Sequence, residues 1–141
     1  MILCDVNVVL YAFRKDAVDH PRYRAWLEEA VNGAGAYGMA PQVLSSMIRV
    51  STHPRVFVHP SRLDEALNFS RVLIDQPNCV SVQPGPRHWD IFTALCQQAD
   101  ATGNLVPDAW FTAMAIESGC EWITTDRDYA RFKGLRWRPP F

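Results

Sequence analysis

The chain has 141 residues, 48% of them hydrophobic, enough for one compact domain with its own core and too few for two ordinary ones. A formal net charge of −1 excludes a nucleic-acid binder that works by bulk positive charge, and no run approaches the roughly 20 apolar residues of a membrane span. The start, Met1-Ile2-Leu3-Cys4-Asp5, meets a carboxylate where a signal peptide needs an apolar stretch, so a cytoplasmic protein with no membrane partner is expected.

Met1 to Cys4 is a short apolar run that reads as a buried strand ending at Asp5, and Val8 to Phe13 begins a helix. From Pro21, the residues Tyr23, Trp26, Leu27, Ala30 and Val31 share one helical face, and Asn32-Gly33 stops it. Ala36 to Ala40 fits a second strand. Pro41 suits a first helical turn, and Val43, Leu44, Met47, Ile48 and Val50 carry that helix to a break at His53-Pro54. Ser61-Arg62-Leu63-Asp64 resembles a capped start to the helix that runs through Leu67 and Leu73 to Ile74. Cys79 to Val82 reads as a strand, and Trp89, Phe92 and Cys96 mark another helix. Pro107 opens a helix that Gly119 ends, Glu121 to Thr125 is a strand terminating in Asp126, and Leu135-Arg136-Trp137 is an edge strand. With no long linker and no repeat, residues 1–141 form one domain. Strands alternating with helices of this length need long crossovers, which implies a three-layer α/β/α sandwich around a mostly parallel sheet.

The four cysteines, Cys4, Cys79, Cys96 and Cys120, are scattered without a Cys-x-x-Cys pair and read as reduced core thiols. Arginine supplies twelve of the 14 cationic residues, and its planar fork suits phosphate and carboxylate partners.

In open parallel sheets ligands bind beyond the carboxyl ends of the strands, where Asp5 and Asp126 each follow an apolar strand. Asp108 lies at a helix start, where the macrodipole favours an anion, and Asp128 is two residues past Asp126. Carboxylates crowded in this way repel one another unless a divalent cation neutralises them, and an oxygen-only donor set selects Mg²⁺ or Mn²⁺. Such a cation can activate water and stabilise an in-line displacement at phosphorus. Each acid taken alone also has a structural role open to it: Asp5 and Asp126 as turn formers, Asp108 as a helix-terminus residue, Asp128 as surface.

Three segments in order, Asp5-Val6-Asn7-Val8-Val9-Leu10-Tyr11-Ala12, Val106-Pro107-Asp108-Ala109 and Thr124-Thr125-Asp126-Arg127-Asp128-Tyr129-Ala130-Arg131-Phe132, together resemble the VapC-type PIN-domain toxins. His53-Pro54-Arg55-Val56-Phe57 and Leu135-Arg136-Trp137 are similar to that family's central segment and closing strand. The resemblance implies a Mg²⁺- or Mn²⁺-dependent endoribonuclease that cuts structured RNA (transfer, ribosomal or messenger), forms a homodimer, and is held inactive by a cognate VapB-like antitoxin. It implies that Asp5 and Asp108 ligate the metal with Asp126 completing the shell. Asp128 would then be an auxiliary acid, and Thr125 a hydroxyl that orients water or a ligand. Asn7 fits a cap for the first helix.

One position departs from the resemblance. The family carries a glutamate three residues before an arginine on the third helix, and here Ser46 stands three residues before Arg49. A neutral hydroxyl reaches a cation at best through water, so the alternative is an attenuated or inactive PIN fold that binds RNA or a partner without cutting. If exposed, Tyr23, Trp26, Trp89 and Phe92 are candidates for the antitoxin interface; otherwise they are core. A phospho-accepting receiver needs an acid after a middle strand and a late lysine, but Gln83 follows Cys79 to Val82, and Lys133 lies beyond the Asp126 turn. Nucleophilic hydrolysis is unsupported: there is no Gly-x-Ser-x-Gly elbow, and His20, His53, His59 and His88 are dispersed.

Overall fold

A computed structural model describes residues 1–141. The chain runs β1 (Ile2–Cys4), α1 (Val6–Phe13), α2 (His20–Asn32), β2 (Tyr37–Met39), α3 (Pro41–Ser51), α4 (Leu63–Ile74), β3 (Cys79–Ser81), α5 (His88–Ala99), α6 (Leu105–Ser118) and β4 (Glu121–Ile123). A 3₁₀ turn at Arg127–Arg131 then leads to β5 (Trp137–Arg138). The strands form one sheet in the order β3-β2-β1-β4-β5, and every neighbouring pair is parallel. The α/β architecture expected from the alternation is therefore present, with a wholly parallel sheet.

Successive crossovers from β1 to β2 to β3 step in one direction, whereas β3 to β4 steps back past both. Because such crossovers are right-handed, reversing the step moves the connecting helices to the other face. Accordingly α1 to α4 pack among themselves, and α5 packs with α6. The direction of winding reverses between β1 and β4, the place where open sheets of this kind leave a crevice beyond the strand ends.

Leu3, Met39, Trp122 and Ile123 are fully buried between the helical layers, together with Val8 and Val9 of α1, Val43 and Met47 of α3 and Met114 of α6. At roughly 1.5 to 3 kcal/mol for each large side chain buried, this core outweighs any single polar contact described below. No helix is long and apolar enough to cross a membrane. The four cysteines are free thiols; Cys4 and Cys120 are buried, and burial pushes the Cys4 thiol up to about 12.

Several boundaries differ from those expected. Helix α6 begins at Leu105, two residues before Pro107, because the first-turn N–H groups have no intrahelical partner and a proline there sacrifices nothing. Arg62, not Ser61, is the residue before α4 and makes no side-chain cap; its guanidinium pairs with Asp64, and the Ser61 hydroxyl accepts from Arg14. The first helix is capped by Asp5, whose carboxylate accepts from Val6 N, while Asn7 lies inside the helix. Strand β4 ends at Ile123, short of Thr125, and β5 begins two residues later and ends one residue later than expected.

Gly38 in the middle of β2 faces a tight site. A Cβ there would stand 3.0 Å from Val82 Cγ2 and 3.1 Å from the Ile2 carbonyl oxygen, which the strand cannot move aside. Gly38→Ala is expected to destabilise the fold by about 1 to 3 kcal/mol in urea unfolding; an unchanged midpoint would show that β1 and β2 are not this close.

Candidate functional site

At the carboxyl end of the sheet an open cleft of about 330 Å³ is lined by Asp5 from the end of β1, Asn7 from α1, Ser46 and Arg49 from α3, Asp108 from α6 and Asp126 from the segment after β4. The sheet register explains the first meeting. Cys4 pairs with Ile123, so the next residues of the two strands, Asp5 and Thr124, leave the sheet side by side. The backbone N–H of Asp5 still donates to the Ile123 carbonyl at 2.9 Å.

Asp5 is buried, and both of its oxygens are engaged. Oδ1 accepts from Val6 N at 2.7 Å, and Oδ2 accepts from the Thr124 hydroxyl at 2.6 Å. Thr124 Oγ1 in turn accepts from Asp126 N at 3.0 Å and from Asn7 Nδ2 at 3.3 Å. One buried hydroxyl thus ties the first strand, the first helix and the turn after β4 together. Burial is the main force on Asp5 and raises its carboxyl to about 6; the hydrogen bonds from Thr124 and Val6 oppose the rise, and the charges of Asp108 and Asp126 add to it.

Asp108 reaches the cleft from the first turn of α6, and its Oδ1 accepts from the Tyr129 hydroxyl at 3.3 Å. Burial, followed by the charges of Asp126 and Asp128, raises the Asp108 carboxyl, partly countered by the Tyr129 bond. Tyr129 is buried against Trp122, with ring centroids 5.6 Å apart, and burial beside Asp5 and Asp108 holds its phenol well above its ordinary range, so it stays a neutral donor. The 3₁₀ turn is started by Asp126, whose Oδ1 accepts from Asp128 N at 2.8 Å.

The structure therefore brings Asp5, Asp108 and Asp126 together and leaves two other expected residues outside. Asp128 is exposed and does not line the cleft; its carboxylate lies 3.6 Å from Arg131. Thr125 is exposed and opens into a separate hollow, so the hydroxyl that meets the carboxylates is that of Thr124. Residues that sequence reasoning passed over are Thr124, Tyr129 and Arg49, the last being the one cation lining the cleft. Arg49 could have been found from its place one helical turn after Ser46. Of the proposed interface aromatics, Tyr23 is buried, Trp26 and Phe92 are half-buried, and Trp89 is 61% exposed.

The donor set suits a hard cation. Asp5 is a buried carboxylate with no cationic partner, and Asn7 Oδ1, a carbonyl oxygen, is buried without any hydrogen bond. No three acidic, histidine or cysteine side chains close around one point as a ready-made cage. Mg²⁺ does not require one, since it keeps several waters and is commonly held by one or two carboxylates.

Two outcomes follow from this geometry. Thr124→Val keeps the shape but leaves Asp5 Oδ2 and Asp126 N unpaired, and is expected to lower stability by about 2 to 3 kcal/mol, with Thr124→Ser much closer to the parent; equal urea midpoints for Val and parent would refute the role of the hydroxyl. Because the folded-state carboxyl of Asp5 is raised from 3.8 to about 6, its contribution to stability is fully present below pH 4 and lost as pH rises through 6. Metal-free protein is expected to lose on the order of 3 kcal/mol across that window, and Asp5→Asn should flatten the loss. A pH-independent melting temperature in the parent would contradict the burial of this charge.

The PIN domain family model matches residues 2–135. The chain is 40% identical over 140 residues to the VapC ribonuclease Mb2897 of Mycobacterium bovis, covering 99% of this chain and 95% of that protein. It is 38% identical over 141 residues to ribonuclease VapC25 of Mycobacterium tuberculosis, covering 99% of each. Among solved structures it resembles VapBC2 from Rickettsia felis bound to a promoter DNA fragment (TM-score 0.69, 15% identity, 99% of this chain and 98% of that one). It also resembles VapBC-1 from nontypeable Haemophilus influenzae (TM-score 0.67, 16% identity, 99% and 98%).

Proposed function

The chain belongs to the PIN-domain family, in its VapC-type toxin branch, and from that premise we propose that it is a Mg²⁺- or Mn²⁺-dependent endoribonuclease, the toxin half of a toxin–antitoxin pair. The observation that carries the reading is the buried Asp5 carboxylate, without a cationic partner, sharing one open cleft with Asp108 and Asp126. The ribonuclease names of its relatives support RNA as the substrate, and the VapBC assemblies it resembles in fold support a VapB-like antitoxin as partner. A homodimer working in the cytoplasm completes the proposal; transfer, ribosomal and messenger RNA all present the required phosphodiester.

Asp5 and Asp108 would hold the cation, with Asp126 completing the shell. When bound there, a divalent cation lowers the pKa of a coordinated water and offsets the charge that develops on the phosphate. Thr124 fixes the rotamer of Asp5, and Tyr129 does the same for Asp108, so the two carboxylates are set before substrate arrives. Asp126 has Oδ1 held by the Asp128 N–H and no protein hydrogen bond on Oδ2, which leaves that oxygen available to take a proton from an attacking water. Arg49, at the rim, presents a guanidinium to the phosphate oxygens.

Ser46 favours a second reading. It lines the cleft at the place of the family's glutamate and brings no charge, so the same fold could bind RNA or a partner while cutting slowly or not at all.

Incubating purified, antitoxin-free protein with total cellular RNA distinguishes the two. Discrete fragments that require Mg²⁺ or Mn²⁺, disappear with chelator and fall about 100-fold or more with Asp5→Asn or Asp108→Asn are expected. Silence from the natural chain with cleavage by Ser46→Glu would establish the inactive-module reading instead, and metal-independent cutting that survives Asp5→Asn would refute both.

A further inference from the structure

Next to the acidic cleft, on the other side of Thr124, lies a second hollow of about 580 Å³ lined by Thr124, Thr125, Arg127, Trp137 and Phe141, among others. Its size is within the range of small-ligand sites. Its lining differs from that of the cleft, because no acidic side chain belongs to it and Arg127 is its one cationic side chain. Arg127 is exposed and takes part in no ion pair. Phe141 is 46% exposed as a residue, and its ring is packed: the Arg22 guanidinium, also outside every ion pair, stands 4.0 Å from its centroid, and the Tyr23 ring lies 4.9 Å away. Trp137 is half-buried on the edge strand.

A partly exposed phenylalanine and a half-buried tryptophan beside an arginine outside every ion pair supply what single-stranded nucleic acid uses: aromatic surface for unstacked bases and forked donors for the backbone phosphates. The position adds direction. Thr124 lines the hollow while its hydroxyl donates to Asp5, which lines the cleft, so the two recesses are adjacent.

We infer that this hollow is a nucleotide subsite of the proposed ribonuclease, receiving an unstacked base next to the scissile phosphate against Trp137 and the exposed part of Phe141, while Arg127 binds a flanking phosphate and Arg22 holds the Phe141 ring. The inference rests on the RNA-cleaving reading of the adjacent cleft. It assigns selection of the cut position to the hollow and leaves hydrolysis to the three carboxylates. An extended, unpaired loop is the form of RNA that can enter both at once.

The test uses Arg127→Ala and Phe141→Ala beside the parent, with the urea midpoint of each variant measured because Phe141 packs on the core residue Tyr23. With a short single-stranded RNA that the parent cuts, each variant is expected to raise KM about 10-fold with kcat nearly unchanged, and to blur the preference for the base beside the cut. In a second arm, Asp5→Asn protein binds a five-nucleotide single-stranded RNA carrying 2-aminopurine, whose fluorescence should be quenched by stacking and recover when Phe141→Ala or Arg127→Ala is added. Unchanged KM and cut pattern in cleaving variants would overturn the subsite while leaving the ribonuclease standing. Quenching that both substitutions abolish, in a protein whose parent never cleaves, would uphold the subsite and sink the enzyme reading. Quenching indifferent to both would place the RNA elsewhere and overturn the subsite.

Discussion

A carboxylate buried at the end of a strand is costly, and the arrangement around Asp5 is organised by the way that cost is met. Two donors from different parts of the chain accept the task, the Val6 N–H from the start of α1 and the Thr124 hydroxyl from beyond β4. The first requires the chain to turn into a helix directly after β1. The second requires β1 and β4 to lie side by side in the one register that puts residues 5 and 124 abreast. A shift of that register would leave Asp5 Oδ2 without its donor, so polar satisfaction at this point and hydrophobic burial of Leu3, Trp122 and Ile123 specify the same pairing.

The reversal of winding between β1 and β4 does the rest. Helices that follow β1 and β2 diverge from α6 on the opposite face, and the gap between them is open to solvent above the strand ends. Asp108 enters from one side and Arg49 with Ser46 from the other, each carried on a helix anchored by a buried face, Val43, Leu44 and Met47 in α3 and Ala109 to Ala115 with the exception of Trp110 in α6. The cleft is therefore built on rigid elements, with its electrostatics set before any ligand arrives.

Much of this is legible in the sequence, and what is not has particular causes. Apolar runs ending in Asp5 and in Asp126 mark two strand ends, and amphipathic spacing marks α2, α3 and α4, because those helices bury one face only. The choice between Thr124 and Thr125 is not legible. Trp122, Ile123 and Thr124 are all buried, as expected of a central strand covered on both faces, so the alternation that would tell inward from outward is missing. Asp5 and Asn7 are both good caps by residue type, and only the end of β1 decides between them. The roles of Tyr129 and Arg49 depend on contacts with residues distant along the chain, which spacing alone does not reveal.

The bond from Thr124 to Asp5 joins residues separated by 119 positions, and the one from Asn7 to Thr124 spans 117. During synthesis the first strand and helix emerge long before the residues that satisfy them, so the acidic cleft is among the last parts of the molecule to become complete. A chain cut short anywhere before β4 carries Asp5, and in longer fragments Asp108, but neither Asp126 nor the hydroxyl that holds Asp5 in place. The cleft is thus assembled only when nearly the whole polypeptide is available to fold.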